Sequence, residues 1–221
     1  MKSDRIIDRL VERYPDLHCC RLQIMDAFEM LQACFRQGGK LFVCGNGGSA
    51  ADGEHIVGEL MKGYMQHRCI PATMRERLLT ACPTNGVYLA DHLQGALPAI
   101  SLVSQTAFLS AYANDVAADM AYAQQVYGYG HPGDVLWGIS TSGNAKNVIH
   151  ALQVGHALNL RTLGLTGQDG GAMIGYCDVA IRVPSVSTPD AQERHVAIYH
   201  ALCLMLEDAF WTDSSSSPNM V

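Results

Sequence analysis

Apolar positions recur along the chain in two rhythms. Ile6, Ile7 and Leu10, then Leu22, Met25, Phe28, Leu31 and Phe35, follow helical spacing through residues 4–36, interrupted near Pro15 and closed by Gly38 and Gly39. Short apolar runs come next. Leu41–Cys44, Ala99–Ser104, Val135–Ile139, Arg161–Leu165 and Asp178–Val183 read as five strands. Helices are predicted over Ala50–Met61, from after Ser104 through Tyr112, over about Asp119–Tyr127, over Ala145–Leu158 and over Thr188–Phe210, with a turn at Ala113–Asp115. In the terminal helix Val196, Ile198, Leu202, Met205 and Leu206 form the apolar side. Strands alternating with helices imply an α/β fold whose parallel sheet is covered on both faces.

One stretch breaks the pattern. Residues 65–98 mix Arg68, Arg75, Glu76 and Arg77 with Pro71, Pro83 and Asn85-Gly86, and read as an insertion or a flap. The division expected is therefore a helical segment 1–39, packing on the core or on a neighbouring subunit, a domain over 40–211 interrupted at 65–98, and a disordered tail over 212–221.

Composition narrows the partners. The 221 residues are 48% hydrophobic, enough for one sizeable core, with a net charge of −6. Only 15 Lys and Arg residues are spread through the chain, which argues against a nucleic-acid footprint. There is no secretory leader pattern and no apolar run near the ~20 residues that span a bilayer, so a cytoplasmic protein without membrane contact is expected. The eight cysteines form no Cys-x-x-Cys pair and are expected to be reduced and mostly buried; a metal cluster of Cys69 and Cys82 with His67 and His92 matches no regular zinc spacing.

Candidate chemistry begins at Lys40–Glu59, where strand, glycine loop (Gly45–Ser49) and helix follow one another. That order gathers free backbone N–H groups and a positive helix end at one point, which suits an anion such as phosphate. Val135–Leu158 repeats it with Ser140-Thr141-Ser142-Gly143-Asn144 as the loop, offering three hydroxyls suited to a phosphate monoester; an ordinary Ser/Thr helix cap is the plainer reading. In a parallel sheet both loops lie beyond the carboxyl ends of the strands. Gly45-Asn46-Gly47-Gly48 is not a dinucleotide fingerprint, and no Gly-x-x-x-x-Gly-Lys motif exists, so a nucleotide cofactor is disfavoured.

His55 and Glu59, four apart, share one helix face and can chelate a divalent metal or simply make a surface hydrogen bond. Glu59 stands among Ile56, Val57 and Leu60, where partial burial suits proton transfer. Gln192, Glu193, His195 and His200 are the candidates for further ligands. Gln192 and His200 are separated by ~12 Å along a straight helix, so they meet only if the helix starts late, bends, or shares the site with another chain. His195 is expected as a solvated helical residue, and a buried hydrogen-bonded histidine is the plain reading of His200.

Taken together, Cys44–Ser49, His55 with Glu59, Asn114-Asp115, Gly133–Leu136, Gly138–Asn144, Leu165–Gly167, Asp169–Gly171, Gln192-Glu193 and His200 resemble the sugar isomerase (SIS) domain proteins, and within them the phosphoheptose isomerases. The resemblance runs from Leu41 to Leu206 outside residues 65–98. It implies a three-layer, doubly wound, flavodoxin-like sheet and aldose–ketose isomerisation of sedoheptulose 7-phosphate through an enediol. By the same resemblance, Ser140, Thr141 and Ser142 hold the phosphate, and Asn46, Gly47, Ser49, Asp115, Asn144 and Gln192 contact substrate. His55, Glu59, Gln192 and His200 bind Zn2+, Glu59 and His200 are the acid/base pair, and the assembly is a homotetramer with sites at subunit interfaces.

The family also contains an adaptor that binds the replication initiator and resembles the isomerase without its catalytic pair. Glu59 and His200 are both present here, which favours the enzyme. Ala145 stands where the isomerases commonly have a serine, Lys62-Gly63 where an arginine is frequent, and Thr188–Ala191 differs from the usual run. Together with residues 65–98, these departures keep open a noncatalytic adaptor and an isomerase of another ketose phosphate.

Overall fold

The computed structural model describes residues 2–211, so the expectation for the tail beyond Trp211 lies outside the described residues. Five strands, β1 (Leu41–Gly45), β2 (Ala99–Ser101), β3 (Val135–Ser140), β4 (Arg161–Thr166) and β5 (Val179–Arg182), form one sheet in the order β2-β1-β3-β4-β5. Every pairing is parallel. Every residue of β1 and β3 is buried, which is why these strands read as continuous apolar runs rather than as alternation.

The pleat divides those residues between two cores. Leu41, Val43, Val135, Trp137 and Ile139 face one layer, and Phe42, Cys44 and Leu136 face the other. The first layer holds α1 (Lys2–Arg13), α2 (Arg21–Arg36), α3 (Gly48–Met61) and α9 (Thr188–Trp211). The second holds α7 (Ala121–Tyr129) and α8 (Lys146–Ala157). Strand order reverses between β1 and β3, and at such a switch point a crevice opens beyond the carboxyl ends. Gly45 pairs with Ile139, so the loops after β1 and β3 leave the sheet side by side.

Several elements differ from the expected boundaries. β2 ends at Ser101, and α3 begins at Gly48 rather than Ala50. The turn expected at Ala113–Asp115 is helical: α6 (Thr106–Tyr112) continues into a π turn at Ala113–Ala117 and a 3-10 turn at Ala118–Met120. The segment of poor periodicity contains two helices, α4 (Ala72–Ala81) and α5 (Gly86–His92). α4 buries none of its residues, so no apolar stripe marks it in the sequence. The cysteines are free; Cys20, Cys34, Cys44 and Cys203 are buried, and burial pushes the thiols of Cys44 and Cys203 up to about 12.

A buried ion pair fastens the chain that leaves α3. Arg68 and Glu207 are almost fully enclosed, with Nε of Arg68 2.8 Å from Oε1 of Glu207. Glu207 also accepts the backbone N–H groups of Tyr64, Met65 and Gln66. Arg68 donates to the carbonyls of Leu60 and Glu59 and lies over the Trp211 ring at 4.5 Å. Breaking such a pair from one side strands a buried charge. Glu207→Ala is expected to lower unfolding free energy by roughly 3–5 kcal/mol, read from urea denaturation; a loss below about 1 kcal/mol, the scale of an exposed pair, would contradict this assignment.

Candidate active site

The first loop turns on Gly47, whose φ of 55° suits glycine and which directly precedes the first residue of α3. Ser49 is buried in the first turn. Gly48 lies against Gln192 of α9: a Cβ there would meet the Gln192 amide nitrogen, the movable end of that side chain. The second loop turns on Gly143, with φ 65°, where a Cβ would collide with the Gly170 carbonyl. Asn144 braces this turn, donating to the Ser142 carbonyl and accepting from the Ala172 N–H. Ser140 is buried, Thr141 half-buried and Ser142 exposed at the mouth. Asp115, exposed on the π turn, pairs with the Asn114 amide.

The two loops are tied together. Asn46 and Asn147 exchange reciprocal side-chain hydrogen bonds of 2.9 and 2.8 Å. Asn147, at the start of α8, went unnoticed in the sequence, where only its place in a helix N-terminus marks it. Tyr122 fixes the first loop from behind by donating to the Gly45 carbonyl at 2.8 Å.

About two turns into α3, three side chains meet. His55 Nε2 is 3.2 Å from Glu59 Oε1 and 3.5 Å from His200 Nε2. Glu59 is mostly enclosed, and its second oxygen is 3.2 Å from Nζ of Lys62. Tyr64, held by the Glu207 clamp, stacks on the His200 ring with centroids 5.7 Å apart. Burial, and then the neighbouring charge of His55, push the His200 pKa below the usual imidazole value, against a smaller opposing pull from Glu59.

Gln192 does not join this group. α9 runs unbroken from Thr188 to Trp211, and the Gln192 amide rests on Gly48, ~12 Å back along the helix axis from His200. Among the described residues no group of three His, Cys, Asp or Glu side chains closes into a metal cage, the cysteine–histidine cluster included. His55, Glu59 and His200 nevertheless offer N, O and N donors of the kind zinc takes. Tetrahedral ligands ~2.0–2.2 Å from zinc stand ~3.3–3.6 Å from one another, close to the two spacings around His55 Nε2.

The sheet order and the paired loops are those of an α/β fold of the SIS type, and the SIS domain family profile matches residues 87–167. The chain is 38% identical over 190 residues to a phosphoheptose isomerase of Rhodospirillum rubrum, covering 86% of this chain and 87% of that one. It resembles the structure of phosphoheptose isomerase GmhA from Neisseria gonorrhoeae with a TM-score of 0.69 and 30% identity, over 94% of this chain and all of that one. A phosphoheptose isomerase structure from Francisella tularensis superposes with a TM-score of 0.73 at 26% identity, over 94% and 97%. The chain belongs to the phosphoheptose isomerase family and is an isomerase.

His195 corrects an expectation. Its neighbours Glu193 and Arg194 lie toward solvent, but His195 is fully buried and neither ring nitrogen makes a hydrogen bond. Burial pushes its pKa from 6.5 down to about 4, against a smaller opposing pull from the Thr166 backbone. The folded protein therefore holds it neutral while the unfolded chain protonates it. Stability from this group is complete above pH 6.5 and is lost as pH falls toward 4. Its share is up to roughly 3 kcal/mol. Urea midpoints measured across this window should fall with acid in the wild type and fall less in His195→Phe; equal slopes would contradict the assignment.

Proposed function

We propose that the protein interconverts sedoheptulose 7-phosphate and D-glycero-D-manno-heptose 7-phosphate through an enediol. The observation that carries the reading is the meeting of Glu59, from α3, with His200, from α9, around His55 beside two phosphate-type loops. In this reading Ser140, Thr141, Ser142 and the amides around Gly143 hold the phosphate. Asn46, Gly47, Ser49, Asp115, Asn144 and Gln192 orient the sugar hydroxyls.

One member of the Glu59–His200 pair removes a proton from C1 of the ketose while the other delivers a proton to the C2 oxygen, forming the enediol. The C1 hydroxyl then gives up its proton as one returns to C2, which leaves an aldehyde at C1 and a hydroxyl at C2. No atom is gained or lost. Zinc, held by His55, Glu59 and His200, would supply Lewis-acid polarisation of the reacting oxygens. A carboxylate shared with a cation is a poorer base, so a loosely held ion suits Glu59 best. Gln192 completes the ligand set only from a second copy, which the eight-residue gap to His200 on one helix supports; the reading accordingly includes a homotetramer with interfacial sites, in the cytoplasm.

The test is turnover of sedoheptulose 7-phosphate with added zinc and with chelator. Glu59→Gln and His200→Asn should each lower kcat by about 10²–10⁴-fold with little change in KM. Binding without turnover under every metal condition would favour the adaptor reading, and faster turnover of another ketose phosphate in a substrate panel would reassign the sugar.

A further inference from the structure

The buried clamp and His200 share a helix. His200, Cys203 and Glu207 stand at i, i+3 and i+7 on α9, which sets them along one side of it, with ~10 Å of rise between the histidine and the glutamate. The Glu207 carboxylate gathers a turn of chain around itself: Oε1 accepts the Tyr64 N–H at 2.8 Å, and Oε2 accepts those of Met65 and Gln66 at 2.8 and 3.1 Å. Gly63, just before, donates its N–H to the Gln94 side chain at 2.7 Å. Held on both sides, the half-buried Tyr64 turns its ring back along α9 onto His200. The two rings stack with planes 30° apart.

Little else sets the plane of the His200 ring. The χ2 torsion of an imidazole is soft, with broad wells. A functional histidine is commonly oriented by a hydrogen bond from its second ring nitrogen to a carboxylate or a carbonyl. Among the described residues His200 makes a single polar contact, from Nε2 to His55 Nε2 at 3.5 Å, and none from Nδ1. Packing must therefore orient the ring. His55 and Tyr199 meet it edge to face, with planes 79° and 76° apart, and Tyr64 alone of the three lies nearly parallel to it. Rotation about χ2 would carry the imidazole edge toward the Tyr64 ring.

We propose that Tyr64 is a positioning residue for His200: held by Glu207, its ring covers one face of the imidazole and keeps Nε2 turned toward His55 and Glu59. The clamp holds the other member of the pair as well. Nη2 of Arg68 donates to the Glu59 carbonyl at 2.9 Å, and Nη1 to the Leu60 carbonyl at 2.8 Å, at the end of α3. One buried ion pair thus fixes the backbone of Glu59 directly and the ring of His200 through Tyr64. The effect on turnover rests on the isomerase reading above; the orientation of the ring does not.

The full chain is crystallised without metal as wild type, Tyr64→Phe and Tyr64→Leu, with thermal melts confirming that each is folded; Tyr64→Met replaces the leucine variant should that one fail to fold. Wild type and Tyr64→Phe should hold the His200 ring in one orientation, with Nε2 toward His55. In Tyr64→Leu the ring should turn away or divide between orientations. With sedoheptulose 7-phosphate and added zinc, Tyr64→Leu should lower kcat about 10–100-fold with little change in KM, and Tyr64→Phe should stay near wild type. Glu207→Gln should lower kcat too, and Tyr64→Leu should then have a smaller effect in that background than in wild type. An unmoved His200 ring in Tyr64→Leu, equal losses of kcat in the phenylalanine and leucine variants, or independent effects of Tyr64→Leu and Glu207→Gln would overturn the proposal. If Glu207→Gln does not fold, the Tyr64 variants decide. A wild type that turns over no ketose phosphate would sink the isomerase reading alone. The crystal structures then decide: a ring held by phenylalanine and released by leucine upholds the positioning role, and an unmoved ring overturns it.

Discussion

α9 crosses the sheet face that carries Val43, Trp137 and Ile139 and packs beside α3, and that packing decides which polar groups of the two helices can meet. Ile198, Leu202 and Met205 bury one side of α9, and Ile56 and Leu60 bury the matching side of α3. With those positions fixed, Tyr199 and His200 can only face His55 and Glu59. The hydrophobic contact thus sets the geometry of the polar one. A shift of α9 by a single residue would carry His200 about 1.5 Å along the axis and ~100° around it, away from His55.

The sheet supplies the other half. β1 and β3 are neighbours although β2 lies between them in sequence, so two loops of similar construction open into one crevice. The glycines serve different ends there. Gly47 and Gly143 satisfy positive φ, while Gly48 lies against the Gln192 amide. The Asn46–Asn147 pair then holds the loops at a fixed separation.

Much of this was readable before the structure. The strands announced themselves as short apolar runs, and His55 with Glu59 were visible because helical spacing places i and i+4 on one face. What could not be read depends on contacts between distant parts of the chain. Tyr199 looks like one more apolar residue of α9; only the meeting of its hydroxyl with His55 Nδ1 sets it apart. His195 reads as a solvated residue because its polar neighbours in sequence say nothing about the face it occupies. Arg68, in a stretch of scattered charge, proved to be wholly enclosed with Glu207. α4 is illegible for the opposite reason: a helix that buries nothing carries no apolar stripe.

The central claim is that Glu59 and His200 move protons between C1 and C2 of a ketose phosphate. Proton NMR of sedoheptulose 7-phosphate incubated with the zinc-supplied protein in deuterated water addresses it most directly. The account predicts growth of an aldehyde-derived anomeric signal together with deuterium at C2 of the aldose and C1 of the ketose. No aldose and no deuterium at either carbon, with metal supplied and the chain folded, would contradict it.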